Sequence, residues 1–134
     1  MEAVIFTEEQ LKTKCVEWQK VLRLQDWDVK TSIKRARDMN LDANGVITVH
    51  LEHRLASIRI LDPLDYSPEE LHPQDMEKIL VHELLHIHLF PMTKDYEGHL
   101  ATAEEQAINM ITSSLIELSR RGGETKNEKG SDLR

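Results

Sequence analysis

The chain has a single cysteine, Cys15, and no apolar run of about 18 residues, the length that a membrane-spanning helix needs. One thiol excludes a disulfide framework within the chain and suits a reducing compartment. Because no signal-like apolar segment opens the sequence either, it predicts neither secretion nor membrane insertion, and we expect a cytoplasmic location. Cys15 falls at helical spacing between Leu11 and Trp18, which predicts a thiol that fills a core.

Positively charged residues are also fewer than negatively charged ones. The 134 residues include 17 lysines and arginines against 24 aspartates and glutamates, so the formal net charge is −7. This balance argues against broad electrostatic binding to nucleic acid. A local basic cluster could meet an acidic partner, although a solvated face is the preferred interpretation. The cluster consists of Lys30, Lys34, Arg35 and Arg37.

One motif carries most of the chemical information. The segment His82-Glu83-Leu84-Leu85-His86 is a His-Glu-x-x-His pattern, flanked by apolar residues at helical spacing. Residues four apart lie on one face of an α-helix, so His82 and His86 can hold one metal ion between neighbouring turns. Buried imidazoles need partners, and an ion supplies them. We therefore favour a zinc site over two histidines that only hydrogen-bond in a core.

Glu83 has a different predicted role. It lies one step round the same helix, where its carboxylate can reach a metal-bound water without being a ligand. The ion lowers the pKa of that water, and Glu83 then accepts its proton as the general base. A catalytic zinc ion usually has three protein ligands and leaves one position for water. A third ligand is therefore expected downstream.

Three downstream residues compete for this place. Glu105 lies on a predicted helix, and Asn109 follows one turn later, where its amide can hydrogen-bond a ligand. His99 would instead complete a three-histidine site. Glu104 is a further candidate, because it aligns with the apolar stripe predicted for that helix and a buried glutamate would need a metal. The Glu-x-x-x-Asn spacing favours Glu105, while Tyr96 and His99 are candidates for stabilising an oxyanion.

The combination of His82, Glu83 and His86 with Glu105 and Asn109 resembles the gluzincin arrangement, His-Glu-x-x-His then Glu-x-x-x-Asp. It is similar to small phage- and prophage-type metallopeptidases and to the ImmA/IrrE-like peptidases, over about residues 56–118. The resemblance implies one zinc ion per chain, held by both histidines and Glu105, with Glu83 as the general base. This chain departs from the pattern at Asn109, where the gluzincins have aspartate.

A weaker resemblance is to the SprT-like proteases, in which the same motif is followed by a loop that ends in Gly-His. Gly98-His99 is similar to that ending and implies His99 as the third ligand. The spacing from His86 is short, however, and Leu100 stands where a second glycine is expected. A chain with one cysteine also cannot build the zinc ribbon that this family often carries.

Signals along the chain predict the order helix, strands, helix, helix. Thr7 and Gln10 form a capping box that starts the first helix, which runs to about residue 24. The metal-binding helix has Pro73 in its first turn and ends at Pro91. The last helix begins near residue 101 and fades at 120–123. Strand-like segments cover residues 27–33, 46–49 and 55–61.

This order predicts an α+β fold, a minimal zincin-like domain with a small, mostly antiparallel sheet. Residues 1–121 form the single domain, and residues 122–134 are a polar tail predicted to be disordered. The segment Ala56–Ile60 is the candidate for a sheet edge that pairs with an extended peptide.

The sequence therefore predicts a zinc metallopeptidase, an endopeptidase, that acts on a protein or peptide substrate. The alternative is a non-catalytic, zinc-stabilised module that binds a partner protein. Glu83 favours the enzyme, because a purely structural site needs no free carboxylate beside the ion.

Overall fold

A computed structural model describes residues 2–39 and 42–128, with side chains as far as residue 122. Within these ranges the chain forms three α-helices and three strands, joined by short 3₁₀ turns. The predicted α+β class is confirmed. The elements are α1 (Glu8–Val21), β1 (Asp28–Lys34), β2 (Gly45–His50), β3 (Leu55–Leu61), α2 (Met76–Thr93) and α3 (His99–Glu128).

The sheet has the order β1-β3-β2 and is mixed, where the sequence predicted mostly antiparallel pairing. β3 runs parallel to β1 and antiparallel to β2. The short 51–54 connection allows β2 and β3 to form an antiparallel pair directly. The 35–44 connection carries the chain from β1 to the far edge of the sheet. Alternation within a single strand does not encode which strand will lie beside it, so this order could not be read from the sequence.

The strand order also corrects the predicted sheet edge. Ala56–Ile60 lies within β3, the central strand, whose main chain pairs with β1 on one side and β2 on the other. It therefore has no edge to offer a peptide. Among the described residues, β1 and β2 each have one neighbouring strand, and β2 is the one that lies against α2.

The core lies between one face of the sheet, α1 and α2. Alternate residues of β3 point into it, and Ala56, Ile58 and Ile60 are fully buried. The capping box of Thr7 and Gln10 starts α1 as predicted. Cys15 is buried in this core, and burial raises the pKa of its thiol to about 11. The thiol is therefore a core filler, as its spacing predicted.

The end of α1 and the start of α2 differ from the prediction. α1 ends at Val21, because Arg23 adopts the left-handed conformation (φ 62°) and turns the chain. α2 begins at Met76, after an N-cap at Asp75 whose carboxylate accepts a hydrogen bond from the Lys78 amide, at 3.0 Å. Pro73 thus precedes the helix and does not lie in its first turn.

The predicted end of α2 at Pro91 is wrong, since the helix continues to Thr93. Proline in a helix removes one amide donor and crowds the preceding turn. Here it falls in the last turn, where few hydrogen bonds follow it. The Lys94 amide still donates to the Phe90 carbonyl at 3.0 Å and closes the helix.

α3 is longer than predicted at both ends. It begins at His99 and continues to Glu128, through the two glycines at which we expected it to fade. Glycine lowers helix stability by about 1 kcal/mol but leaves the backbone hydrogen bonds intact. The predicted disordered tail is therefore helical over 122–128, and its residues 129–134 lie outside the described ranges. None of the described helices is long and apolar enough to cross a bilayer.

An ion-pair network joins α3 to the start of α2. Arg120 contacts Asp75 at 2.9 Å and Glu77 at 3.2 Å, and Glu77 also accepts a hydrogen bond from Trp18 Nε1 at 2.7 Å. Glu77 is only 8% exposed, so its charge needs these partners. The network fixes how far along α2 the helix α3 lies.

We expect Arg120→Ala to lower the free energy of unfolding by about 1–2 kcal/mol, because it removes the guanidinium that contacts Glu77 at 3.2 Å and leaves the more distant Lys14 Nζ, at 4.0 Å, beside that charge. Urea denaturation of the metal-free protein measures the change. Arg121→Ala is the matched control, since among the described side chains Arg121 pairs only with the exposed Glu117. This substitution should cost less than about 0.5 kcal/mol. Equal losses in the two variants would contradict the anchoring role.

Candidate metal centre

Two helices bring three predicted ligands together. His82 and His86 lie one turn apart on α2, with their ring centroids 5.2 Å apart. Glu105 reaches them from α3, with one carboxylate oxygen 3.0 Å from His82 Nε2 and the other 3.1 Å from His86 Nε2. One donor atom from each residue lies within 4.8 Å of the others. In the described part of the chain, no other group of His, Cys, Asp and Glu meets this condition.

The three residues suit a zinc ion. Two imidazole nitrogens and one carboxylate are a donor set typical of catalytic zinc sites, with ligand distances of about 2.0–2.2 Å. Donor atoms that lie within 4.8 Å of one another can be brought to these distances from a shared ion by movements of their side chains. The histidine side chains are 18% exposed and that of Glu105 is 50% exposed, so an ion can enter from solvent.

The surroundings of His82 favour the form of imidazole that binds metals. Burial lowers the pKa of His82, and this effect outweighs the opposing attraction of Glu105. A side-chain hydrogen bond with Asn109 acts on the pKa of this ring in the same direction as Glu105. Neutral imidazole is the ligating form. Asn109 thus lies beside a proposed ligand, as the sequence predicted.

Glu83 is buried between α2 and β2, with 7% of its surface exposed. No hydrogen bond reaches its carboxylate from the described residues, and burial, helped by the nearby charge of Glu105, raises its pKa to about 7. Gly45 of β2 makes this packing possible. A Cβ there would come within 2.4 Å of Ile79 Cγ2 and 3.2 Å of Glu83 Oε2.

A cleft of about 350 Å³ opens beside these residues, between β2, α2 and α3. His82 and Glu83 line it from α2, and Asn109 and Thr112 line it from α3. No pattern in the sequence pointed to Thr112, which is 1% exposed and whose hydroxyl has no hydrogen-bond partner among the described residues. The 66–73 loop contributes Tyr66 and His72, which also escaped the sequence analysis because loop conformation has no periodic pattern.

Two predicted residues lie elsewhere. His99 is the first residue of α3 and is exposed, outside the group formed by the two histidines and Glu105. Tyr96 is 40% exposed, and neither residue lines the cleft. Neither residue therefore lies in the cleft beside Glu83, and the residue that the structure brings to the histidine pair is Glu105, not His99.

The basic cluster predicted as a solvated face is largely neutralised by its own neighbours. Arg35 makes a bidentate contact with Asp65, at 2.8 and 3.1 Å, which lowers the pKa of Asp65 to about 2. Lys30 lies 3.7 Å from Asp28, and Arg37 lies 3.9 Å from Asp38. These local pairs agree with the solvated-face interpretation.

Comparison with known proteins adds no relative. No protein-family model matches the chain, and no curated protein sequence or solved structure matches it either. Any function has to be argued from the residues of the site themselves.

Gly45 provides a test of how closely β2 must approach α2. We expect Gly45→Ala to destabilise the protein by about 1–3 kcal/mol, because the new methyl group overlaps Ile79. Ile79→Leu removes the branch at Cβ, so the double variant should recover part of the loss. Thermal unfolding measures both, with Gly122→Ala as the control, since nothing lies within 4 Å of a Cβ at that position. Purely additive effects of the two substitutions would contradict the overlap.

Proposed function

We propose that the chain is a zinc-dependent metallopeptidase in which His82, His86 and Glu105 hold the ion and Glu83 is the general base. The observation that carries this proposal is the gathering of the three donors within 4.8 Å beside a buried glutamate that lines a cleft. When bound, zinc polarises a carbonyl group and lowers the pKa of water.

Glu83 is suited to moving a proton. Its carboxylate is buried and has no hydrogen-bond donor among the described residues, so it is free to accept a proton from an attacking water. It can then deliver that proton to the leaving amine, which completes hydrolysis of the peptide bond. A cation held by its neighbours would favour the ionised form that a base requires.

Substrate binding is proposed along the edge of β2. This strand replaces Ala56–Ile60 as the candidate for main-chain pairing with an extended peptide, since it lies at the sheet edge and Gly45 faces the cleft. A peptide paired there would pass close to His82 and Glu83. A protein or peptide substrate is therefore part of the proposal.

The second candidate is a zinc-stabilised module that binds a partner protein without cleaving it. A structural zinc site usually has four protein ligands. Only three donors gather among the described residues, and His99, which could have completed a set of four, lies outside the group. This observation favours the enzyme over the binding module.

We expect the purified protein to bind about one zinc ion per chain, and Glu105→Ala to weaken binding far more than His99→Ala. The reason is that, of the residues whose side chains are described, only Glu105 forms a donor group with both histidines. Metal analysis after dialysis gives the stoichiometry, and competition with a chromophoric chelator gives the affinity. If His99→Ala emptied the site while Glu105→Ala kept it full, the proposed ligand set would be wrong.

Glu83→Gln separates the two functions. Glutamine is nearly isosteric but cannot accept a proton, so the variant should keep its zinc and its melting temperature and lose about 10²–10⁴-fold in peptide cleavage. A peptide library containing a substrate cut by wild type supplies the measurement. The contrary result is a partner found by pull-down that wild type and Glu83→Gln bind equally and neither cuts. Together with no cleavage of the library by wild type, it would favour the binding module.

A further inference from the structure

Glu104 precedes the proposed ligand Glu105 but occupies a more enclosed place. Its side chain is 12% exposed, against 50% for Glu105. One oxygen, Oε2, lies 3.5 Å from His86 Nδ1 and 2.7 Å from the hydroxyl of Thr93. The sequence left Glu104 as a rival metal ligand, whereas its observed neighbours indicate a different task.

His86 lies between two carboxylates that face different ring nitrogens. Nε2 is 3.1 Å from Glu105, on the side of the donor group, and Nδ1 faces Glu104. An imidazole that binds a metal through Nε2 carries its hydrogen on Nδ1, and that hydrogen needs an acceptor. Glu104 is the acidic side chain that the fold brings to this nitrogen.

Thr93 holds the Glu104 carboxylate in place. Its hydroxyl lies 2.7 Å from Glu104 Oε2 and 3.1 Å from the Leu89 carbonyl oxygen. A hydroxyl has a single hydrogen, and the carboxylate is the stronger acceptor of the two. A carboxylate so little exposed needs such a donor as a hydrogen-bond partner.

We propose that Glu104 is a positioning residue of the metal centre. Its carboxylate accepts the Nδ1 hydrogen of His86, which fixes the tautomer and turns Nε2 towards His82 and Glu105. The inference rests on the proposed zinc site and deepens it. The 3.5 Å separation is longer than a full hydrogen bond, so the inference requires this contact to shorten when an ion is bound.

The same geometry argues against Glu104 as a ligand. Its Oε2 lies on the Nδ1 side of the ring, whereas the donor group is on the Nε2 side. To bind the ion, Glu104 would have to leave Thr93 and exchange places with Glu105. Besides Glu105, each histidine thus has one further partner from α3: Asn109 beside His82 and Glu104 beside His86. Of these two, only Glu104 is acidic.

The test compares Glu104→Gln, Glu104→Ala and Thr93→Val with wild type, and uses Glu117→Gln as the control. Glu117 lies on the same helix and is exposed, and Arg121 is its one ion-pair partner in the part of the chain that the structure describes. Each protein is titrated with zinc against a chromophoric chelator. Cobalt spectra at saturation report on the bound ion's surroundings, and melting of the metal-free protein reports on structure.

We expect Glu104→Ala to raise the zinc dissociation constant about 10- to 100-fold and to shift the cobalt d–d bands. Glu104→Gln should have a smaller effect, because its amide oxygen still accepts a hydrogen bond but lacks the charge. Thr93→Val should also raise the zinc dissociation constant, by a smaller factor. Glu117→Gln should have the dissociation constant of wild type. The near-isosteric glutamine keeps the test valid if the alanine variant fails to fold.

Several results would overturn the inference. Unchanged zinc affinity in both Glu104 variants, with or without a lower melting temperature, would make Glu104 a structural residue only. A site emptied by Glu104→Ala but retained in Glu105→Ala would make Glu104 the ligand. Wild-type protein that binds no zinc would overturn the proposed function together with this inference, whereas the first two results leave a zinc site standing.

Discussion

The antiparallel packing of α3 on α2 is the constraint on which the site depends. Arg120 binds Asp75 and Glu77 at one end of the helix pair. Near the other end, Glu104 accepts a hydrogen bond from the Thr93 hydroxyl. Between these two attachments, Glu105 meets both histidines of α2. A shift of α3 by one turn, about 5.4 Å, would break every one of these contacts at once. The donor group is thus a consequence of helix register, which polar contacts outside the group hold in place.

The charge distribution around the histidines supports the proposal of a bound cation. Glu83, Glu104 and Glu105 all lie close to them, and the first two are largely buried. Burial and the charge of Glu105 both disfavour the ionised form of Glu83 when no cation is present. A divalent ion between the histidines and Glu105 would offset this repulsion, and so would convert an unfavourable cluster of carboxylates into a favourable one.

Much of this arrangement could be predicted from the sequence, and the remainder depends on packing. The motif predicted α2 and its two histidines, and the Glu-x-x-x-Asn spacing selected Glu105 and Asn109. Strand order could not be predicted, because the residue pattern of a strand does not determine which strands pair with it. The rotation of α3 was predicted only in part. Within the predicted apolar stripe of Ala107, Ile108, Ile111, Leu115 and Leu118, Ile108 is buried and Leu115 packs against the core, whereas the other three are exposed. Thr112 and Ile116 lie outside the stripe but are buried. Apolar residues span more of α3 than it buries, so tertiary contacts decide which arc faces inward.

β2 lies close to α2, and this contact connects the proposed substrate-binding edge of the sheet with the proposed general base. Gly45 lets the strand lie against Ile79 and Glu83, so the strand that forms the edge also encloses the carboxylate. A peptide paired with β2 as proposed would cover the cleft and remove water from around Glu83. Loss of water raises the affinity of a carboxylate for a proton. Substrate binding would therefore strengthen Glu83 as a proton acceptor at the point where hydrolysis requires it. Gly45 would then be needed both for the substrate-binding edge and for the enclosure of Glu83.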